Sequence, residues 1–262
     1  MFLEFWLDQP LWTGFVLLTI PFVVVSLTLW LITVLRVTRP AMLWAGTGMV
    51  PTYFAVFSTL LALLTGFVAN DAWERQRAAS RVLQSERANA LAIHDLSLAA
   101  VSDMKTIRTG LAEYLDAVIG VEWSRMSEGA SAPEAGRRLG RLLATIADPK
   151  ISAEAGAATH AALLNAAMAL RADRGERLAL SAASADDTKW LTLLILAALT
   201  LAALALVHVE RPPAQFTALT LFSVAMVATL GLIALHERPF DGPLAKSAEP
   251  LRIARAAMEV AP

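Results

Sequence analysis

The chain has 262 residues, is 56% hydrophobic, carries a formal net charge of −1 and contains no cysteine. Its mean hydropathy of +0.55 and an apolar share above the roughly 45–50% of soluble domains exclude an ordinary soluble globular protein. The near-neutral charge excludes a broad basic surface for nucleic acid, and the lack of cysteine excludes disulfides, thiolate metal sites and a cysteine nucleophile.

Residues 1–10 (MFLEFWLDQP) carry Glu4 and Asp8 and no basic residue, so they lack the positive start of a cleaved signal peptide and are expected to be retained. About 20 apolar residues cross a bilayer core at ~1.5 Å each. Residues 11–35 hold no charge and end at Arg36, which makes them the first span. Pro21 is expected to kink it, and Trp12 and Trp30 flank it as interfacial aromatics do. Arg36 to Pro40 reads as a short turn with a helix-stopping proline. Residues 41–50, with Gly46 and Gly48, lead back toward the membrane.

Residues 51–70 are the second span, uncharged until Asp71. Lipid offers no partner to exposed backbone groups, so this span must be helical. Residues 72–100 contain no Gly or Pro and are rich in Ala, Leu, Arg, Glu and Gln, all good helix formers. The expectation is one continuous rod that leaves the lipid and projects into water.

Residues 71–187 are rich in Ala and in charges of both signs, and read as a soluble helical bundle. After the rod, Ser102 and Asp103 can cap a helix to about Glu128, with Leu111, Leu115, Val118, Glu122 and Met126 at three- and four-residue spacing. A short helix ends near Ala147 with Leu139, Leu142, Leu143 and Ile146 inward. A fourth is expected from Ser152 to Ala183, with Leu163, Leu164, Ala167, Leu170, Leu178 and Ala182 inward.

Residues 188–237 form a second hairpin, with spans at about 190–209 and 214–236 joined by Glu210-Arg211-Pro212-Pro213. The tail, 238–262, holds a short helix opened by Glu249-Pro250, with Leu251, Ala254 and Met258 on one face. The expected fold is thus an all-α membrane protein. Two transmembrane hairpins (1–70 and 188–237) flank a helical bundle, and the second span continues into the first soluble helix. Eleven basic residues near span ends lie on the bundle side, among them Arg75, Arg77, Arg81 and Arg238, against Arg36, Arg39 and Arg211 on the other. The positive-inside rule then places the bundle and both termini in the cytoplasm of a cell with a bacterial inner membrane.

No Asp, Glu, Lys or His lies in the middle of a span. Coupled transporters and proton pumps usually keep one there, so a passive conduit or a structural protein is favoured. On the second span Phe54, Ser58, Ala62, Thr65 and Ala69 share a helical face. Small and hydroxyl residues suit a narrow pore that gates by dewetting, and equally a packing face between membrane helices. Arg75, Arg77, Arg81 and Arg238 suit a pore mouth that concentrates anions, or simple anchoring to lipid headgroups. Asp71, Glu74 and Glu237 nearby partly neutralise them. Glu122 lies on or beside an apolar stripe and is expected to be buried against an arginine, such as Arg125 or one from another helix, with Trp123 as a packing or interface anchor. Asp186-Asp187 reads as a helix cap. Scattered histidines and the lack of phosphate-loop, metalloprotease or hydrolase motifs speak against an enzyme, and nothing calls for a cofactor or a metal.

Three short motifs stand in a fixed order around the four spans. They are Gly66-Phe67-Val68-Ala69 running into Trp73, Glu122-Trp123-x-x-Met126, and Arg238-Pro239-Phe240-x-Gly242. In these motifs, and in layout from about residue 10 to 258, the chain resembles the bestrophin-like domain family of bacterial membrane proteins. The resemblance implies similarity to bestrophins: pentameric, mostly anion-conducting channels with two membrane hairpins and a helical cytosolic body. It therefore implies a homo-oligomer in a lipid bilayer with inorganic ions as cargo and the second span lining the pore. No acidic run follows the fourth span, so calcium gating through such a clasp is not implied. A membrane-anchored sensor or scaffold that passes no ions is the alternative of a different class.

Overall fold

The computed structural model describes residues 6, 9–49, 51–100, 103–183 and 186–260. Ser102, offered above as a cap, and most of residues 1–10 lie outside them. Among the described residues the regular structure is helical throughout, with no strand. Contacts divide the chain into two compact units: residues 1–74 with 184–237, and residues 75–183 with 238–262.

The first unit contains α1 (Leu11–Val34), α2 (Arg39–Gly46), the apolar part of α3 (Pro51–Ala99), α9 (Asp187–Val207) and α10 (Pro212–His236). Helices α1, α3, α9 and α10 contain stretches long and apolar enough to cross a membrane. Helix α1 runs unbroken through Pro21. Pro40 does not end a helix as expected; it sits in the first turn of α2, where its missing N–H costs nothing. Asp186 caps α9, its carboxylate accepting from the Thr188 N–H at 3.0 Å and the Lys189 N–H at 3.4 Å.

Helices α1 and α10 lie antiparallel along their whole length. A Cβ at Gly231 would stand 2.3 Å from the Phe15 ring. Further along, the Ser26 and Ser223 hydroxyls meet at 2.9 Å. At the far end the buried Gln215 amide donates to Thr33 Oγ1 at 3.0 Å and to the Ala205 carbonyl at 2.8 Å. Between apolar helices there is no hydrophobic drive, so close backbone approach and polar ties of this kind set the pairing.

The second unit holds the rest of α3, α4 (Lys105–Ala117), a π-helical turn (Val118–Glu122), α5 (Trp123–Met126), α6 (Pro133–Ile146), α7 (Pro149–Ala155), α8 (Ala157–Ala182) and α11 (Glu249–Val260). Its core joins Ile93 of α3, Ile107, Leu111 and Leu115 of α4, Leu139, Leu142 and Ile146 of α6, Leu163 and Leu170 of α8 and Leu251 of α11. The expected inward row Leu111, Leu115, Val118, Glu122 and Met126 is buried at every position. Two expectations fail here. The helix drawn through to Glu128 contains a π turn, and the helix drawn from Ser152 to Ala183 is split at Gly156. Gly156 holds φ at 82°, a conformation a β-carbon penalises, so it ends α7 and starts α8. At the end of α8 the inward residue is Arg177, fully buried, while Leu178 is half-buried and Ala182 is exposed.

Candidate functional site

The membrane part of α3 turns one side toward its own unit. Leu61, Val68, Ala69 and Ala72 are buried in that core, and Phe54 and Leu64 pack against it. The five residues expected to line a pore divide accordingly. Phe54 and Ala69 contact the chain's own core. Ser58 is half-buried and its hydroxyl donates to the Phe54 carbonyl at 2.9 Å. Thr65 is half-buried, and its Oγ1 is buried without a hydrogen-bond partner among the described residues. Ala62 is exposed. It stands in an exposed row with Ala55, Thr59, Gly66 and Asn70, whose three- and four-residue steps hold them on one helical face.

Charges at the end of the membrane stretch are already engaged. Asp71 pairs with Lys189. The Glu237 carboxylate is buried and accepts from the Trp190 indole at 3.1 Å. Trp73 is 42% exposed, its ring edge-on to His236 at 6.5 Å between centroids. Among the basic residues, Arg77 and Arg81 are exposed, Arg75 and Arg238 half-buried, and Arg238 donates to Asp241 at 3.0 Å.

In the second unit the motif residues converge. The Trp123 and Phe240 rings meet edge to face at 5.9 Å, beside Met126, Ala79 and Leu83. The Arg177 guanidinium lies 5.4 Å from the Trp123 ring centroid, within cation–π range. It donates from Nε to Glu86 at 2.7 Å, and from Nη2 to Glu86 at 3.1 Å and Glu122 at 3.0 Å. Arg174 donates to Glu122 through Nε at 3.1 Å and through Nη2. The Tyr114 hydroxyl donates to Glu86 at 2.9 Å, and the Ala132 N–H donates to Glu122 at 3.2 Å. Two carboxylates therefore face two guanidiniums, fully buried but for Arg174, with every group bonded.

The electrostatics follow from that balance. Burial works against the Glu122 carboxylate, but the hydrogen bonds and charges of Arg174 and Arg177 outweigh it and hold its pKa below the ordinary value. Burial, then the neighbouring Glu86 charge, pushes the Tyr114 phenol well up. Both keep their common protonation state at neutral pH. Among the described residues no cluster of His, Cys, Asp or Glu could hold a metal. Glu122 paired with an arginine and Trp123 packing were readable in the sequence. Glu86, Tyr114, Arg174 and Arg177 were not singled out. Their signal was present: Glu86 falls in the inward row Ala79, Leu83, Ala90 and Ile93 of α3, and Arg174 and Arg177 extend the row Leu163, Ala167 and Leu170 of α8.

Comparison with known proteins reaches the whole arrangement. The profile of the Bestrophin-like domain family matches residues 19–251. No curated protein sequence matches the chain. A bacterial bestrophin homologue from Klebsiella pneumoniae, solved as a point variant, superimposes with a TM-score of 0.71 at 14% identity, covering 94% of this chain and 99% of that one. A second crystal structure of a bestrophin homologue from the same organism gives 0.65 at 14% identity over 90% and 95%. A variant described only as a membrane protein gives 0.70 at 12% identity over 94% and 96%. At such identities the likeness is one of fold.

Proposed function

The chain belongs to the bestrophin-like domain family, and from that premise we propose that it is a channel subunit: a homo-oligomer, as a pentamer, around a passive ion pore walled by the membrane part of α3. The observation that carries this reading is α3 itself. It is a single 49-residue helix whose apolar part has one side packed on its own unit and the other exposed. Copies set around an axis would bring the exposed row containing Ala62 together, with Ser58 at its flank. Phe54, Thr65 and Ala69 would then brace each wall from behind. Small and hydroxyl side chains at a narrow place, next to the exposed Phe67 and Leu63, suit a constriction that opens and closes by wetting.

The same reading sets the protein in a bacterial inner membrane with the bundle cytoplasmic, because Arg75, Arg77, Arg81 and Arg238 follow the ends of the spans. Arg77 and Arg81, exposed on α3, would raise the local concentration of small anions and favour their passage. Purified protein in planar bilayers should pass current, with a reversal potential that follows the anion gradient. Ala62→Trp should block that current while leaving assembly intact. A stable oligomer that never conducts under any gradient would overturn the pore and leave an anchored helical scaffold.

A further inference from the structure

One groove of the second unit gathers basic side chains from two helices. It lies between α4 and α6 and has a volume of about 420 Å³. Lys105, Thr106 and Thr109 line it from α4, and Arg138 and Arg141 from α6, with Glu113 as the one acid. Three cations thus line it with one carboxylate, and Glu134 stands beside Arg138 and Arg141 at its edge.

Their bonding differs in a useful way. Arg138 is fixed, donating from Nε to Glu134 at 2.7 Å and from Nη1 to the Glu113 carbonyl at 3.1 Å. Arg141 is 69% exposed on its side chain and comes only to 4.0 Å from Glu134. Among the described residues Lys105 forms no ion pair, and the Thr106 and Thr109 hydroxyls donate to nothing within the chain. Lys105 and Thr106 also open α4, where the helix dipole adds partial positive charge. A neighbouring cavity of about 440 Å³ shares Lys105 and Thr109, but its own arginines are spent. Arg108 pairs with Asp103, and Arg255 with Asp116 and Glu259.

We propose that the α4–α6 groove binds a soluble dianionic oxyanion, a phosphate ester or polyphosphate. The volume falls in the range of small-molecule sites, about 300–1,000 Å³, and is larger than one phosphate ion needs. Lys105, without an ion pair among the described residues, and Arg141, held to Glu134 only loosely at 4.0 Å, match a dianion; hydroxyl donors complete its shell, and Arg141 offers the planar fork that grips two oxygens at once. The site is independent of ion conduction, since none of its residues lies on the apolar part of α3.

The test is calorimetric titration of the full chain in detergent with inorganic pyrophosphate, with acetate as the monoanion control. Saturable binding at one site per chain is expected, with none for acetate. Lys105→Ala and Arg141→Ala should each weaken it about tenfold, the effect of losing one charged hydrogen-bond partner. Arg108→Ala, which removes an equal but paired charge, should leave it within about twofold. Lys105 and Arg141 are exposed, so their loss does not threaten the fold, and helical circular dichroism checks the half-buried Arg108→Ala. Absent saturation, or equal losses for Arg108→Ala and Lys105→Ala, would overturn the site. Binding only to vesicles carrying phosphoinositide, with none to pyrophosphate, would overturn the soluble ligand.

Discussion

Arg177 donates to Glu86 at 2.7 Å with both side chains fully buried, which ties α8 to the soluble part of α3. Such a pair contributes little over a well-packed apolar alternative, because desolvation offsets most of the Coulombic gain. Breaking it from one side is another matter. Arg177→Met strands Glu86 without its guanidinium partner and removes one of two from Glu122. It should cost about 3–5 kcal/mol in chemical unfolding of the purified protein. The double variant Arg177→Met with Glu86→Gln should recover part of that loss. A loss for the double variant equal to the sum of the losses for Arg177→Met and Glu86→Gln alone would mean that the two side chains are not energetically coupled.

The same cluster predicts a plateau of stability against pH. Glu122 is held below its ordinary 4.5, so the folded state favours its charged form. Its contribution is complete above that value and is lost as the pH falls through the folded-state pKa, because the unfolded chain takes up the proton first. Tyr114 is raised above its ordinary 10.0, so its contribution is complete below that value and is lost as the pH rises toward the folded-state pKa. Thermal unfolding across the pH scale should fall at both ends. Tyr114→Phe should flatten the alkaline limb alone; an unchanged limb would show that another group causes it.

Helix pairing in the membrane unit gives a third expectation. Gly231→Ala drives a methyl group to within 2.3 Å of the Phe15 ring. Neither helix can yield without losing its neighbouring ties, so the variant should lose about 1–3 kcal/mol. Phe15→Leu in the same chain should restore most of it. A drop in melting temperature in detergent that Phe15→Leu leaves unchanged would place the damage elsewhere.

These cases show where the sequence was legible. The row from Leu111 to Met126 was readable because periodicity survives even a π turn, which shifts the phase only at its far end. The turn itself left no residue-level mark: Val118, Ile119 and Gly120 would suit either helix type. Glu122 stood out as a charge on an apolar stripe, but its partners lie 52 and 55 positions away, and no local pattern joins them. The antiparallel contact of α1 and α10 was hidden for a different reason. Both spans are mostly apolar with hydroxyl residues scattered round them, so nothing local marks Ser26 with Ser223, Thr33 with Gln215 or Gly231 with Phe15 as the facing pairs; they acquire meaning once they touch. On α3 the spacing placed Phe54, Ser58, Ala62, Thr65 and Ala69 on one face, but only tertiary packing says which edge of that face the chain covers for itself.

The proposed pore is tested most directly at Ala62, and the chain's lack of cysteine makes the measurement clean. Ala62→Cys, reconstituted in planar bilayers, should pass current that a charged, membrane-impermeant thiol reagent cuts off. Leu199→Cys, on α9, should pass the same current unaffected. A full current through labelled Ala62→Cys would contradict a pore walled by this face of α3.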